Sequence, residues 1–284
     1  MWPRIRCAAI LLLFISSCRA DRLSEAISRL SEEAEIFRQA APQLLTQETL
    51  EQREFRGSKP RRRVLVSEYS FGWLHDSPGI LHEFRKVMLV NGKRVQTEQK
   101  ARQSLTLGLK SPDDHARKRL LEEFKKYGLD GIAVDLAPLL LLFSKRQVAN
   151  FQFRLATQET INGVSCEVLS YRQVSGPEGM LVVAGRQAVR QSLEGKVFFR
   201  ASDLVPCRIT LATDRHQGVH TLREEAVVDY VSDPHGFLAP VQVEHRSLSD
   251  GEIVLEDLFR YAPFRKFGAE AEIKFTEVPE PTKH

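Results

Sequence analysis

The chain has 284 residues, enough for one large domain or two smaller ones, and with 42% hydrophobic residues it is too apolar for a disordered chain. Its 41 basic and 37 acidic residues leave a formal charge of +4, too balanced to mark a nucleic-acid partner. It has no run of ~18 apolar residues, the length a membrane-spanning helix needs.

Met1 to Arg6 is a short start with two arginines and no acid, and Cys7 to Ile15 is an apolar core of signal-peptide length. The stretch closes on Ile15-Ser16-Ser17-Cys18. This resembles the lipobox of bacterial lipoprotein signal peptides: an aliphatic residue, two small ones, then cysteine. The resemblance implies that residues 1–17 are a signal peptide and that the Cys18 thiol takes a diacylglycerol. The mature chain, 18–284, would then be a single domain in the periplasm or at the outer membrane, held to the membrane by its lipid. The alternative is an ordinary secretory signal cut after Ala20. In an exported protein, Lys59-Pro60-Arg61-Arg62-Arg63 reads as a solvated loop, with a contact to anionic lipid head groups as the other reading.

Leu23, Ile27, Leu30, Ala34, Phe37, Ala41 and Leu44 recur at helical spacing, predicting an amphipathic helix over 21–45. Leu65, Tyr69, Phe71 and Trp73 mark a strand, followed by a turn at Asp76-Ser77-Pro78-Gly79. His82 to Val90 is a second strand, apolar on both faces and therefore expected to be central. Residues 96–146 form a helical insert. Within it Asp113 to Tyr127 stops at Gly128, and Ile132 to Phe143 reads as a buried apolar helix with Pro138 in its first turn. The other reading of that last helix is the lining of an apolar cavity. From 151 to 267 short strands alternate apolar and charged positions between tight turns, an antiparallel meander wet on one side. The fold class is α+β: a large curved antiparallel sheet, an incomplete barrel, whose apolar side must be covered by the helices of 21–45 and 113–143.

This layout resembles the outer-membrane lipoprotein carrier superfamily and uncharacterised exported envelope proteins of that style. The local matches are Ser67-Glu68-Tyr69, the run from Glu83 to Gly92, and Tyr261 to Phe267 closing the last strand. The resemblance implies a curved, unclosed barrel that cups an apolar cavity under a helical lid. Such a cavity would bind a hydrophobic ligand: a lipid, an acyl chain or a lipidated peptide or protein. Candidate wall residues are Phe71, Trp73, Leu139, Leu141, Phe143, Phe151, Phe153, Phe198 and Phe199, each of which could equally be ordinary core. A sensor or interaction protein of the same fold is the alternative, and a hydrolase without a recognisable motif is the third class.

Catalytic signatures are missing: no Gly-x-Ser-x-Gly, Ser-x-x-Lys, His-Glu-x-x-His, phosphate loop or Cys-x-x-Cys occurs, so no catalytic residue, metal or cofactor is assigned. His216 and His220 beside Asp214 have ligand spacing, but Gly218 between them predicts a solvated turn. Cys166 and Cys207 remain in the mature chain. Export favours a disulfide, yet one strand between theirs puts them roughly 9.5 Å apart, beyond the ~7 Å that a bridge spans. They read as small buried hydrophobes.

Overall fold

In the computed structural model, which describes residues 5–57, 59–131, 133–176, 180–184 and 187–267 (without the side chains of 5–20, 180–191 and 217), helix α1 spans Ile5–Ala40. Ala26, Leu30, Ala34 and Phe37 form its fully buried stripe. The helix stops short of the expected Leu45. Pro42 falls in a single 3-10 turn, Ala41–Gln43, after which Leu44 is extended at φ −104°, ψ 143°. Strand β1 (Leu44–Glu54) begins there, an element without a counterpart in the sequence reading. Its inward positions are Leu44, Thr46, Glu48, Leu50, Gln52 and Glu54, all buried but mostly polar, so no apolar alternation betrays it.

Strand β2 (Arg61–Trp73) corrects the loop expected around Arg61-Arg62-Arg63: the arginines open a strand, with Arg61 bonded to Glu54 and Arg62 to Glu51 across the β1 pairing. Strand β3 (Leu81–Val90) has only the two-residue β4 (Lys93–Arg94) beyond it, so it lies near the sheet edge and not at the centre. It is apolar on two faces because both are covered. Val87 faces the main core, and Phe84 faces a second layer made by α2 (Glu98–Leu109) and α3 (Asp114–Lys125). Thr97 and Asp113 cap these helices, accepting from the Lys100 and His115 amides. Leu105 and Leu120 pack with Leu45, Leu74 and Phe84. The pair therefore covers the sheet face opposite α1, correcting the expectation that the helix of 113–127 lies with α1. Only Phe124, at the end of α3, reaches the main core. Of the helix expected over 132–143, Ala137–Phe143 is a 3-10 helix with Pro138 in its first turn.

The remaining strands are β5 (Phe151–Leu155), β6 (Glu159–Ile161), β7 (Val164–Gln173), β8 (Met180–Ala184), β9 (Gln187–Gln191), β10 (Glu194–Arg200), β11 (Pro206–Gln217), β12 (His220–Ser232), β13 (Leu238–Ser249), β14 (Glu252–Tyr261) and β15 (Arg265–Lys266). Strands β8 and β9 form a separate hairpin that the strand spacing had not suggested. The others join β1–β4 in one thirteen-stranded sheet, ordered β4-β3-β2-β1-β14-β13-β12-β11-β10-β7-β5, with β6 beside β7 and β15 beside β1. The meander is thus as expected, with one addition: β14 returns to pair with β1.

The path does not close on itself, yet the sheet wraps strongly. Leu65 and Phe71 near one edge share a single apolar cluster with Leu169, Val197 and Phe199 near the other, around α1 and residues 136–143. A flat sheet could not bring them together. Register shifts after Val66, Phe198, Asp229 and Ser247 add bend. Arg22 of α1 reaches Glu167 of β7 at 2.6 Å, tying the helix across the concave face. Among the described residues no helix is long and apolar enough to cross a membrane.

Candidate hydrophobic binding site

The concave face of the sheet is the place where a ligand of the expected kind would lie. Phe71 sits there against Phe37, Tyr69 and Phe264, with ring centroids 5.4, 5.0 and 6.0 Å away. Towards the other edge Phe143 contacts Phe151, Phe153 and Tyr171 at 5.3, 5.7 and 4.9 Å. Leu139 and Phe199 are buried in the same cluster, and Trp73, Leu141 and Phe153 pack half-buried against it. Phe198 does not belong. Strand alternation turns it to the other side of the sheet, where it packs with Cys166 and Val168.

These side chains share one cluster with Ala133, Leu136, Ala137 and Leu140 of the segment from Leu129 to Phe143, whose described residues lie in the concavity. Two surface troughs, of about 600 and 410 Å³, lie over Gly195 and Cys207 respectively, and none of the candidate wall residues lines either. Among the described residues the concave face is packed by the chain's own side chains.

What holds that segment is polar. Glu83 accepts from the amides of Asp135 at 2.6 Å and Ala137 at 3.0 Å, while its own amide donates to Asp135 Oδ1. Gln52 Oε1 accepts from the Leu129 amide, and Asp257 Oδ2 from the Ala133 amide, both at 2.9 Å. Tyr230 accepts from the Leu140 amide and donates to the Ala137 carbonyl, and Ser31 of α1 donates to the Phe143 carbonyl. These bonds answer the demand that every buried backbone group of a non-helical stretch find a partner. Asp135 sits at φ +57°, an uncommon region for a residue with a side chain, and its carboxylate also meets His82 Nδ1 at 2.8 Å.

Two buried ionic groups stand behind these contacts. Arg85 binds Glu48 through two nitrogens and reaches Glu83 at 3.0 Å, all three side chains being 1% exposed. Its guanidinium also lies 5.0, 4.6 and 5.3 Å from the rings of Tyr69, Phe124 and Phe259. Burial pushes the Glu48 carboxyl above its ordinary range against the pull of Arg85. Further along, His245 Nε2 meets Glu224 at 3.0 Å and Nδ1 meets Asp257 at 3.2 Å. Burial alone would lower this imidazole, but the two carboxylates raise it to about 9.

Sequence reasoning missed this polar framework because most of its members are polar or charged residues at inward strand positions that alternation assigns to apolar ones. One signal was present. In His82-Glu83-Phe84-Arg85 the two charged residues share a face with Leu81 and Val87, the pattern of an inward-pointing pair. His216 and His220 lie at the tip of the β11–β12 hairpin, His220 bonded to Asp250 and His216 to Thr221. Cys18 lies in α1 but its side chain is outside the described residues.

Fold and site define an open antiparallel sheet curled around its own helical segment. No family model and no curated protein matches the chain. Among solved structures it is similar to a DUF1329 family protein from Desulfovibrio piger, with 11% identity, 87% of this chain and 94% of that one covered, and a TM-score of 0.37. A LolA superfamily protein from Nitrosomonas europaea gives 10%, 84%, 91% and 0.37. A putative outer membrane lipoprotein-sorting protein domain from Vibrio parahaemolyticus gives 13%, 87%, 95% and 0.37.

Proposed function

We propose that this is an exported envelope protein that holds a hydrophobic ligand (a lipid, an acyl chain or a lipidated peptide) on the concave face of its sheet, with Cys18 as a lipid anchor. The observation that carries the reading is the segment from Leu129 to Phe143. It presents Leu136, Leu139, Leu140 and Phe143 to the aromatic cluster, while its attachment runs largely through hydrogen bonds from its backbone. An acyl chain offers the same kind of surface, at about 0.8 kcal/mol per buried methylene, and would take the segment's place.

Two measurements test this. Mass spectrometry of lipids extracted from the purified mature protein is expected to find a bound species, and N-phenylnaphthylamine is expected to bind and to speed hydrogen exchange at the amides of Ala133, Asp135 and Ala137. No lipid and no probe binding would remove the function. Leu141 is half-buried at the margin of the cluster, so Leu141→Trp adds bulk there without the ~1–3 kcal/mol cost of overpacking a closed core. It is expected to weaken probe binding several-fold with little change in melting temperature. For the anchor, a diacylglycerol supplies the two chains that stable attachment takes. Cys18→Ala should release the chain from membranes or block its maturation; unchanged fractionation with normal maturation contradicts the lipid.

A further inference from the structure

Strand order bears out half of the sequence argument about the cysteines: β10 does lie between β7, which carries Cys166, and β11, which carries Cys207. The other half fails. The two sulfurs stand 3.8 Å apart. The cause is the register of β10 on β11, which pairs Phe198 with Arg208 but Phe199 with Pro206, leaving Cys207 as the extra residue of a bulge with no partner opposite. Beyond it β10 ends, and the turn between Arg200 and Val205 folds back onto β7 through the bond from the Ala201 amide to the Ser165 carbonyl. Cys207 thus reaches over the end of the intervening strand, not through its middle.

We propose that Cys166 and Cys207 are a disulfide-forming pair, closed by thiol–disulfide exchange with an external disulfide such as oxidised glutathione or a protein oxidant. The inference rests on the export reading for its oxidising compartment but not on any ligand. Cys207 is half-buried and lines the trough of about 410 Å³ together with Val164, Pro206 and Val231, whereas Cys166 is fully buried beneath it. The order of events follows. The Cys207 thiolate attacks one sulfur of the external disulfide and expels the other as a thiolate, leaving a mixed disulfide. Cys166, its proton lost to solvent, then attacks the Cys207 sulfur and expels the second external thiolate. Two electrons pass from the cysteines to the external disulfide. The two released protons balance the two thiolates that leave. Closing from 3.8 Å to the ~2.0 Å of a bond displaces the irregular bulge and turn more than a regular ladder, so the structure offers the slack where it is needed.

The chemistry has a rate signature. Burial, and then the neighbouring Cys166, push the Cys207 thiol up to about 12, so little thiolate exists at neutral pH. Oxidation of the folded protein should therefore be slow and should quicken nearly tenfold per pH unit through the alkaline range.

The test uses the full chain, reduced, then treated with oxidised glutathione, alkylated and mapped by peptide mass spectrometry without reductant. The expected result is a cross-linked peptide pair containing Cys166 and Cys207, lighter by two hydrogens, with a melting temperature several degrees above that of the reduced form. Two alkylatable thiols at these positions after prolonged oxidation would overturn the proposal, as would a glutathione adduct on Cys207 that never resolves or a cross-link to Cys18. Cys166→Ser is the second variant. It should stop at the Cys207–glutathione adduct; if it oxidises without one, the assignment of Cys207 as the entry point is wrong. Wild-type thiol counting decides the matter even where that variant does not fold.

Discussion

His245 is held between Asp257 and Glu224, so both of its ring nitrogens face carboxylates and the imidazolium is the form the site favours. Because its folded pKa, about 9, lies above the ordinary 6.5, the stability it confers is complete below pH 6.5 and fades as pH rises through 9. The difference corresponds to roughly 3 kcal/mol at most. Denaturant unfolding between pH 6 and pH 10 should show this loss in the wild type and a flatter profile in His245→Gln; equal slopes would exclude the assignment. Arg85 makes a second residue-scale case. Arg85→Met leaves Glu48 and Glu83 buried without their cation and is expected to cost about 3–5 kcal/mol. Gly195 makes a third, through sterics. A methyl group there would stand 2.0 Å from the Thr210 carbonyl oxygen and 3.0 Å from the Tyr171 hydroxyl. The first neighbour is backbone and cannot swing aside, so Gly195→Ala should destabilise by about 1–3 kcal/mol or more in urea titration.

Among the elements, the segment from Leu129 to Phe143 is the most dependent on single side chains. Glu83 alone takes two of its amides. Glu83→Gln keeps the shape, but its amide end can only donate, so one of those amides loses its acceptor. Hydrogen exchange at Asp135 and Ala137 is expected to accelerate at least tenfold while the amides of β13 keep their protection; uniform acceleration would indicate global destabilisation instead. The same segment marks the limit of sequence reading. Its Leu-rich run was recognisable as buried, and Pro138 as a first-turn residue, because composition carries both. Its 3-10 form was not, since that depends on Tyr230 and Glu83 binding the backbone from strands distant in sequence. β1 was hidden for a related reason: Glu48 and Gln52 occupy inward positions that alternation assigns to apolar residues. The strands from β10 to β14 were legible because their inner faces include Val197, Ile209, Val228, Val243 and Leu255, apolar at the expected period.

Taken whole, the thirteen-stranded sheet runs unbroken from β4 to β5. Strands from before and after the helical insert are joined by the seven paired positions of β1 with β14, from Glu48–Tyr261 to Glu54–Leu255. We expect one cooperative transition in calorimetry of the mature chain; two separated transitions would divide it into independent units. The same pairing bears on time. Leu50 meets Phe259, so the strand made among the first waits for one made among the last. Contacts of such sequence separation fold slowly, since the loop must be closed before they repay it. Until β14 arrives, β1 and β13 each stand unpaired along one edge, and unpaired edges invite other chains. A polypeptide shortened before Glu252 has no strand to put beside β1 on the side away from β2, and its failure should take the form of aggregation, not of a stable half-molecule.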